Sequence, residues 1–224
     1  MATSLSLPSP AAPATHPVAP HPDADRTAWP ALALRLRPLA VLCLGAGLGL
    51  WATAATLTHR FDPAAIRNGP WTTWPNVGTA SIDPYARAIQ ARSGEIALVA
   101  AEGVMFVADR DSAGAPLSGR CTYRVSGPLP YARLWTLGLD TASGEVVDNA
   151  ARRHAFTSTG IVRRQDGSFT IEVSSVVRPG NWLPAPADSP FILVLRLYET
   201  PLGTTPAELG AAALPTIAAT DCAG

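Results

Sequence analysis

Hydrophobic and polar positions follow two patterns along this chain. Residues 38–57 run without a charge and without a polar face. Twenty such residues match the length a helix needs to cross a ~30 Å hydrocarbon core, whereas a helix on a soluble core keeps one polar side. The pattern predicts a single transmembrane helix within residues 31–58, or the apolar part of an export signal. From residue 60 onward the apolar runs are short and bounded by turn residues. Runs at 96–99, 104–108, 122–125, 132–139, 161–164, 169–173 and 191–198 read as strands. The Asp166-Gly167 pair between the fifth and sixth suits a hairpin turn with positive φ. Strands at this spacing predict a mainly β fold, an antiparallel β-sandwich of jelly-roll type.

One helix start interrupts the strands. Asp83 can cap the first free amides, Pro84 suits the first helical position, and Tyr85, Ala88 and Ile89 then share a face. This is the one short helix expected at the N-terminal end of the domain. Residues 69–75, Gly-Pro-Trp-Thr-Thr-Trp-Pro, are too interrupted for regular structure and should lay their aromatics on the sheet or at a membrane interface. Asn181-Trp182-Leu183-Pro184-Ala185-Pro186 reads as a corner before the last core strand, or as the mouth of a pocket.

The resulting organisation is a Pro- and Ala-rich leader at 1–30, too poor in apolar area to order itself, the helix at 31–58, a juxtamembrane segment at 59–80 and an exported domain at 81–224. Arg26, Arg35 and Arg37 precede the apolar stretch and Arg60 with Asp62 follows it. The positive-inside rule then keeps the N-terminus in the cytoplasm and exports the remainder. Ala52-Thr53-Ala54 resembles a cleavage site, but the long polar leader favours a retained anchor. In an oxidising compartment the pair Cys121 and Cys222 predicts a disulfide, with two separate thiols as the alternative.

Composition narrows the chemistry. All 17 basic residues are arginine, which removes Schiff-base and P-loop mechanisms. They balance 17 acids, so no nucleic acid is expected as a partner. Asp109-x-Asp111-x-x-Gly114 resembles the start of a calcium loop, yet Arg120 stands where its glutamate belongs, and a turn is the better reading. His16 and His21 lie in the leader and His59 beside the membrane, leaving His154 in the domain; no metal and no cofactor are expected. His154 is also the one candidate base for a hydrolase, and no G-x-S-x-G elbow accompanies it. Glu95, Glu102, Asp148, Asp166 and Glu172 are the acids from which a glycosidase pair would be drawn. Arg152-Arg153 and Arg163-Arg164 would make a basic patch if they met, although the exported region is balanced in charge. Arg196 and Tyr198, two apart in one strand, share a face.

Several of these pieces occur together elsewhere. Asp111-Ser112-x-Gly114-x-Pro116-Leu117-x-Gly119, Tyr123, Gly127-Pro128-Leu129-Pro130, Leu134-Trp135-Thr136-Leu137, Asp166-Gly167-Ser168, Asn181 to Pro186, Phe191 and Leu195-Arg196-Leu197-Tyr198 resemble, in order, the bacterial family called domain of unknown function 1214 (DUF1214). Asp83 to Ala88, Ala101-Glu102-Gly103 and the two outer cysteines are similar to its short, membrane-anchored branch. The resemblance implies a jelly-roll β-sandwich in the envelope, hence a bacterial inner-membrane protein with a periplasmic domain. Longer relatives carry a companion domain, number 1254, where this chain has its anchor. A separately encoded companion protein of that kind is therefore the expected partner, besides the inner membrane itself through residues 38–57. No catalytic residues come with the resemblance.

Two functional expectations follow. The first is a non-catalytic binding or assembly module for a companion envelope protein. The second is a periplasmic hydrolase or a binder of a small glycan-like ligand, with a pocket near Trp182 formed with Arg196, Tyr198 and His154.

Overall fold

A computed structural model describes residues 28–58, 65–93, 98–99, 101–203 and 205–222. The leader up to residue 27, residues 96–97 of the first expected strand, His59 and Glu95 lie outside the described residues. The chain divides at Ala54/Ala55 into two units. The first holds most of helix α1 (Ala28–Thr58), within which Arg37–Ala55 is long and apolar enough to cross a membrane by length and composition. Nineteen residues at 1.5 Å each give about 28 Å of helix, close to the thickness of a hydrocarbon core.

The second unit is mainly β, in two sheets. Its elements are β1 (Ile66–Asn68), β2 (Trp71–Thr73), α2 (Pro84–Ser93), β3 (Gly103–Ala108), β4 (Cys121–Ser126), β5 (Leu134–Thr141), β6 (Ala155–Thr157), β7 (Thr170–Ser174), β8 (Trp182–Pro184), β9 (Phe191–Tyr198), α3 (Pro206–Ala211) and β10 (Thr216–Cys222). One sheet has the order β1-β2-β3-β9-β5-β6 and the other β10-β4-β7-β8. All pairings are antiparallel except β7 with β8, which run parallel. Among the described residues the sheets hold six and four strands, and the parallel pair departs from the expected antiparallel pattern.

The inner faces share one core. Alternate residues Phe191, Leu193, Leu195 and Leu197 of β9 meet Tyr123 and Val125 of β4 and Ile171 and Val173 of β7. Tyr123 and Phe191 contact edge to face with ring centroids 5.8 Å apart, and Trp135 stacks on Phe169 at 5.0 Å. The Tyr123 hydroxyl accepts the Ser118 amide at 2.9 Å, and burial pushes the phenol above its ordinary pKa of 10.0.

Helix α2 begins where Asp83-Pro84 predicts, with the Asp83 carboxylate accepting the Ala86 amide at 3.3 Å. Among its described side chains Ala86 is buried, while Ala88 of the expected face is exposed. The interrupted segment 69–75 does form structure: β1 and β2 pair as a hairpin turning at Gly69, whose φ of +59° is one glycine adopts easily. Trp71 is wholly buried there and donates from Nε1 to the Pro215 carbonyl at 2.7 Å. Trp74 packs on the outer face of the six-stranded sheet.

No strand forms at 161–164, although the turn after it does, closed by the Arg164 amide on the Ser168 carbonyl at 2.8 Å. The reason lies in Asn181, whose side chain takes up both the amide and the carbonyl of Val162. The expected corner at 182 is instead the short parallel strand β8. Strand β10 and its disulfide close the four-stranded sheet: Cys222 stands opposite Cys121 in register and is bonded to it, across 101 residues of sequence.

Candidate functional site

Leu183 of β8 lies in the core with no exposure, so strand alternation sends Trp182 to the outer face of the four-stranded sheet, where it is half-buried. Its indole Nε1 donates to the Ser174 carbonyl at 2.8 Å, which locks the ring. Glu172 is its neighbour in register and accepts from Arg124 Nε at 2.9 Å. In the next row the buried Thr122 and Ser174 hydroxyls are 3.0 Å apart, and Arg178 Nη2 donates to Thr122 Oγ1 at 3.2 Å. The Arg178 Nε is buried without a hydrogen-bond partner among the described residues.

The Asn181-Trp182 dipeptide also gathers residues distant in sequence. Arg153 Nη1 donates to the Trp182 carbonyl at 2.9 Å while its guanidinium sits 5.4 Å over the Phe156 ring. Asn181 Oδ1 accepts the Val162 amide at 2.9 Å, and Nδ2 donates to the carbonyls of Val162 at 2.8 Å and Thr170 at 3.0 Å. Next to Val162, the Arg163 guanidinium lies 5.4 Å over Phe169 and donates to the Gly167 carbonyl. Val162, before Arg163 in sequence, and Val176 and Val177, before Arg178, are 71 %, 62 % and 72 % exposed.

The ion pairs among the described residues are Arg124–Glu172 and Arg133–Glu199; Arg153, Arg163 and Arg178 belong to neither. In the turn after Arg164, the Asp166 carboxylate accepts the Ser168 amide at 2.9 Å. Hydrogen bonds from the Ser168 side chain and amide, helped by Arg164, hold the Asp166 carboxyl below its ordinary range.

The other residues singled out from sequence do not converge on Trp182. Arg196 and Tyr198 lie on the outer face of the six-stranded sheet, since Leu195 and Leu197 between and beside them fill the core. Both sheets and the core separate them from Trp182, so the expected common pocket is not formed. His154 precedes β6 in the inward phase of Phe156 and is half-buried. Its Nδ1 lies 3.0 Å from the Val147 carbonyl and so carries the proton. Its partner is a backbone oxygen rather than a carboxylate, which suits a packed rim residue better than a triad histidine.

The candidate acids are likewise dispersed. Glu172 is paired with Arg124, Asp166 closes its own turn, and Glu102 and Asp148 are exposed. The Asp111 carboxylate caps its loop, accepting the amides of Ala113 at 2.9 Å and Ala115 at 2.8 Å, as a turn requires. A cleft lined by Trp74, Asn76, Met105 and Leu209 encloses about 20 Å³, room for a single water, and contains none of the residues expected to bind. What sequence reading missed were the contacts between distant segments that tie Arg153 to the Trp182 carbonyl and Val162 to Asn181.

No curated protein matches the chain. Among solved structures it is similar to the VPA0106 protein from Vibrio parahaemolyticus, at 20 % identity and a TM-score of 0.51, over 82 % of this chain and 45 % of that one. It is also similar to an uncharacterized protein from Burkholderia cenocepacia, at 22 % identity and a TM-score of 0.38, over 54 % of this chain and 30 % of that one. The chain therefore spans less than half the length of either, and the first likeness bears on the fold alone. A family model described as protein of unknown function (DUF1214) matches residues 102–202, from the start of β3 past the end of β9, and this is the family its turn motifs resemble.

Proposed function

We propose that this protein is a non-catalytic assembly module of the bacterial envelope. In this reading α1 spans the inner membrane with its N-terminus in the cytoplasm, and the β-domain stands in the periplasm and binds a companion protein resembling the 1254 family. The length of the apolar helix and the Cys121–Cys222 disulfide support the location. The observation that carries the binding role is the surface around Trp182. It combines exposed valines, a half-buried tryptophan held by a hydrogen bond and an arginine, Arg153, that is bonded to the Trp182 carbonyl and in no ion pair among the described residues, which are features of protein contact surfaces. The candidate catalytic groups support no competing reading, because His154 is bonded to a backbone carbonyl and the candidate acids have other partners or stand apart. More than half of the Vibrio protein lies outside the part similar to this chain, which motivates the search for a separate companion.

The test is gentle detergent extraction of the tagged full-length protein from its native membranes, followed by mass spectrometry of what accompanies it. A stoichiometric envelope protein is the expected result. Recovery of the protein alone would overturn the assembly role and turn attention to glycans as ligands for Trp182.

A further inference from the structure

We infer that the Cys121–Cys222 disulfide is a thiol-responsive latch. A dithiol reductant that opens it releases residues 218–222 of β10 from β4, while Ile217 stays docked and the rest of the domain keeps its fold. The latch controls the edge of the four-stranded sheet and does not depend on the assembly role proposed above.

Three features lead to it. First, the bond joins the last residue of the edge strand β10 to the first of β4, with Cys222 exposed and Cys121 half-buried. Second, little else holds that end of the strand. Residues 218–222 are all exposed, and a register shift between Ala219 and Asp221 interrupts the ladder to β4. The side-chain hydrogen bond of this stretch runs from Thr220 Oγ1 to the Thr122 carbonyl at 3.2 Å. Third, a fixed point lies just before it. Ile217 has no exposure, its amide donates to Ser112 Oγ at 2.9 Å, and its carbonyl accepts the Ser112 amide at 2.8 Å. Thr216 adds a bond from Oγ1 to the Ser126 carbonyl at 3.0 Å. On the other strand the Cys121 amide donates to the Ser118 carbonyl at 3.0 Å, so Cys222 is the partner left free to move.

Opening proceeds by thiol–disulfide exchange. A thiolate of the dithiol attacks the Cys222 sulfur, the sulfur–sulfur bond breaks, and Cys121 leaves as a thiolate that takes up a proton. The second thiol of the reductant, deprotonated in turn, attacks the mixed disulfide and frees Cys222, which is protonated. Two electrons pass to the cystine, the dithiol becomes an internal disulfide, and its two protons end on the two cysteines. Because Ile217 turns both backbone groups to Ser112, ladder alternation gives the main-chain bonds with β4 to Thr216 and Ala218. Release therefore breaks the pairing of Ala218 with Arg124 and of Asp221 with Thr122, and it moves no buried side chain of β10. It leaves the β4 edge at Thr122 and Arg124 with unpaired backbone groups, the form in which an edge accepts another strand.

The experiment uses full-length protein in neutral detergent micelles, carrying Cys43→Ser so that every thiol counted comes from the bond. Dithiothreitol without denaturant, followed by alkylation and intact-mass measurement, should add two alkyl groups. A bond that resists until urea is added would overturn the latch. In the reduced protein, amide exchange should rise about tenfold or more at residues 218–222 and at Arg124, and stay unchanged at Ile217 and along β9. No rise at residues 218–222, a rise that takes in Ile217, or one that takes in β9 as the whole domain unfolds would each overturn it. Cys222→Ser, measured without reductant, should reproduce the same local rise. Wild-type exchange in that variant would mean that other contacts hold the strand, and the latch would fall with it.

Discussion

On the outer face of the six-stranded sheet, Val107, Ile192 and Val194 are buried, with Trp74 and Met105 packed on them. On the outer face of the four-stranded sheet stand the Arg124–Glu172 ion pair, the Thr122–Ser174 hydroxyl pair and Trp182. Both sheets contribute to the same core on their inner sides. A strand buried on both faces reads as a continuous apolar run, and a strand with one wet face alternates. β9, Phe-Ile-Leu-Val-Leu-Arg-Leu-Tyr, is of the first kind, and β4, Cys-Thr-Tyr-Arg-Val-Ser, is of the second. The contrast explains why Arg196 and Tyr198 cannot serve a site built on Trp182. They end the covered face of one sheet, whereas Trp182 stands on the polar face of the other.

The contrast can be broken or sharpened by substitution, beginning with what both faces share. Replacing Cys121 and Cys222 together by serine should cost about 2–5 kcal/mol, because a bond between residues 101 apart removes much of the unfolded chain's freedom. Urea unfolding with and without reductant measures this, and equal curves for the wild type would mean the bond contributes nothing. Leu195→Ala, on the inner side of β9, should cost a similar 2–5 kcal/mol. Val194→Ala, one residue along on the outer side, should still cost about 2 kcal/mol, from two lost methyl groups and the cavity they leave. A loss near zero would show that face to be wet after all.

At the edge of the other sheet, Asn181→Ala leaves the carbonyls of Val162 and Thr170 without their donor and should cost about 1–3 kcal/mol. It should also loosen the Arg163 surface, visible as faster amide exchange at residues 161–164. The smallest effect belongs to the polar face. A double-mutant cycle on Arg124 and Glu172 should give a coupling below about 1 kcal/mol, since the arginine side chain is 53 % exposed and the pair is screened by salt.

A titration sharpens the same region. The Asp166 carboxyl should titrate below the ordinary value of about 3.9. Because the folded state holds its proton more weakly than the unfolded chain, the stabilisation is present above the unfolded pKa. It is lost as pH falls through the lower folded one. Carbon-detected NMR should show the low midpoint, and Ser168→Ala should move it back up.

Much of the architecture is written in local pattern. The uncharged run at 38–57 specifies a helix of spanning length, Asp83-Pro84 starts α2, and the apolar run at 191–198 is β9 residue for residue. Asp111 and Asp166-Gly167-Ser168 form the turns their side chains favour. Thr205-Pro206-x-Glu208 was an unread signal of the same local kind: the Thr205 hydroxyl caps the Glu208 amide at 3.3 Å and opens α3.

The remaining elements are different in origin. β10 is mostly alanine and threonine with one core residue, Ile217, and β6 and β8 are three residues long. Such short strands gain their hydrogen bonds from a neighbouring strand and have little apolar pattern of their own. Close approach of distant segments works in the same way: a Cβ on Gly119 would run into the Pro186 carbonyl, a restriction visible only once both loops are folded. Helix, turn and core strand thus follow from the sequence by itself, because residues within a few positions of one another set backbone angles and burial. The pairing of strands about 100 residues apart, the separation of Trp182 from Arg196 and Tyr198, and the bond of Arg153 to the Trp182 carbonyl were decided by tertiary structure. Each depends on which sheet a strand joins, and that choice is made by packing of the whole core.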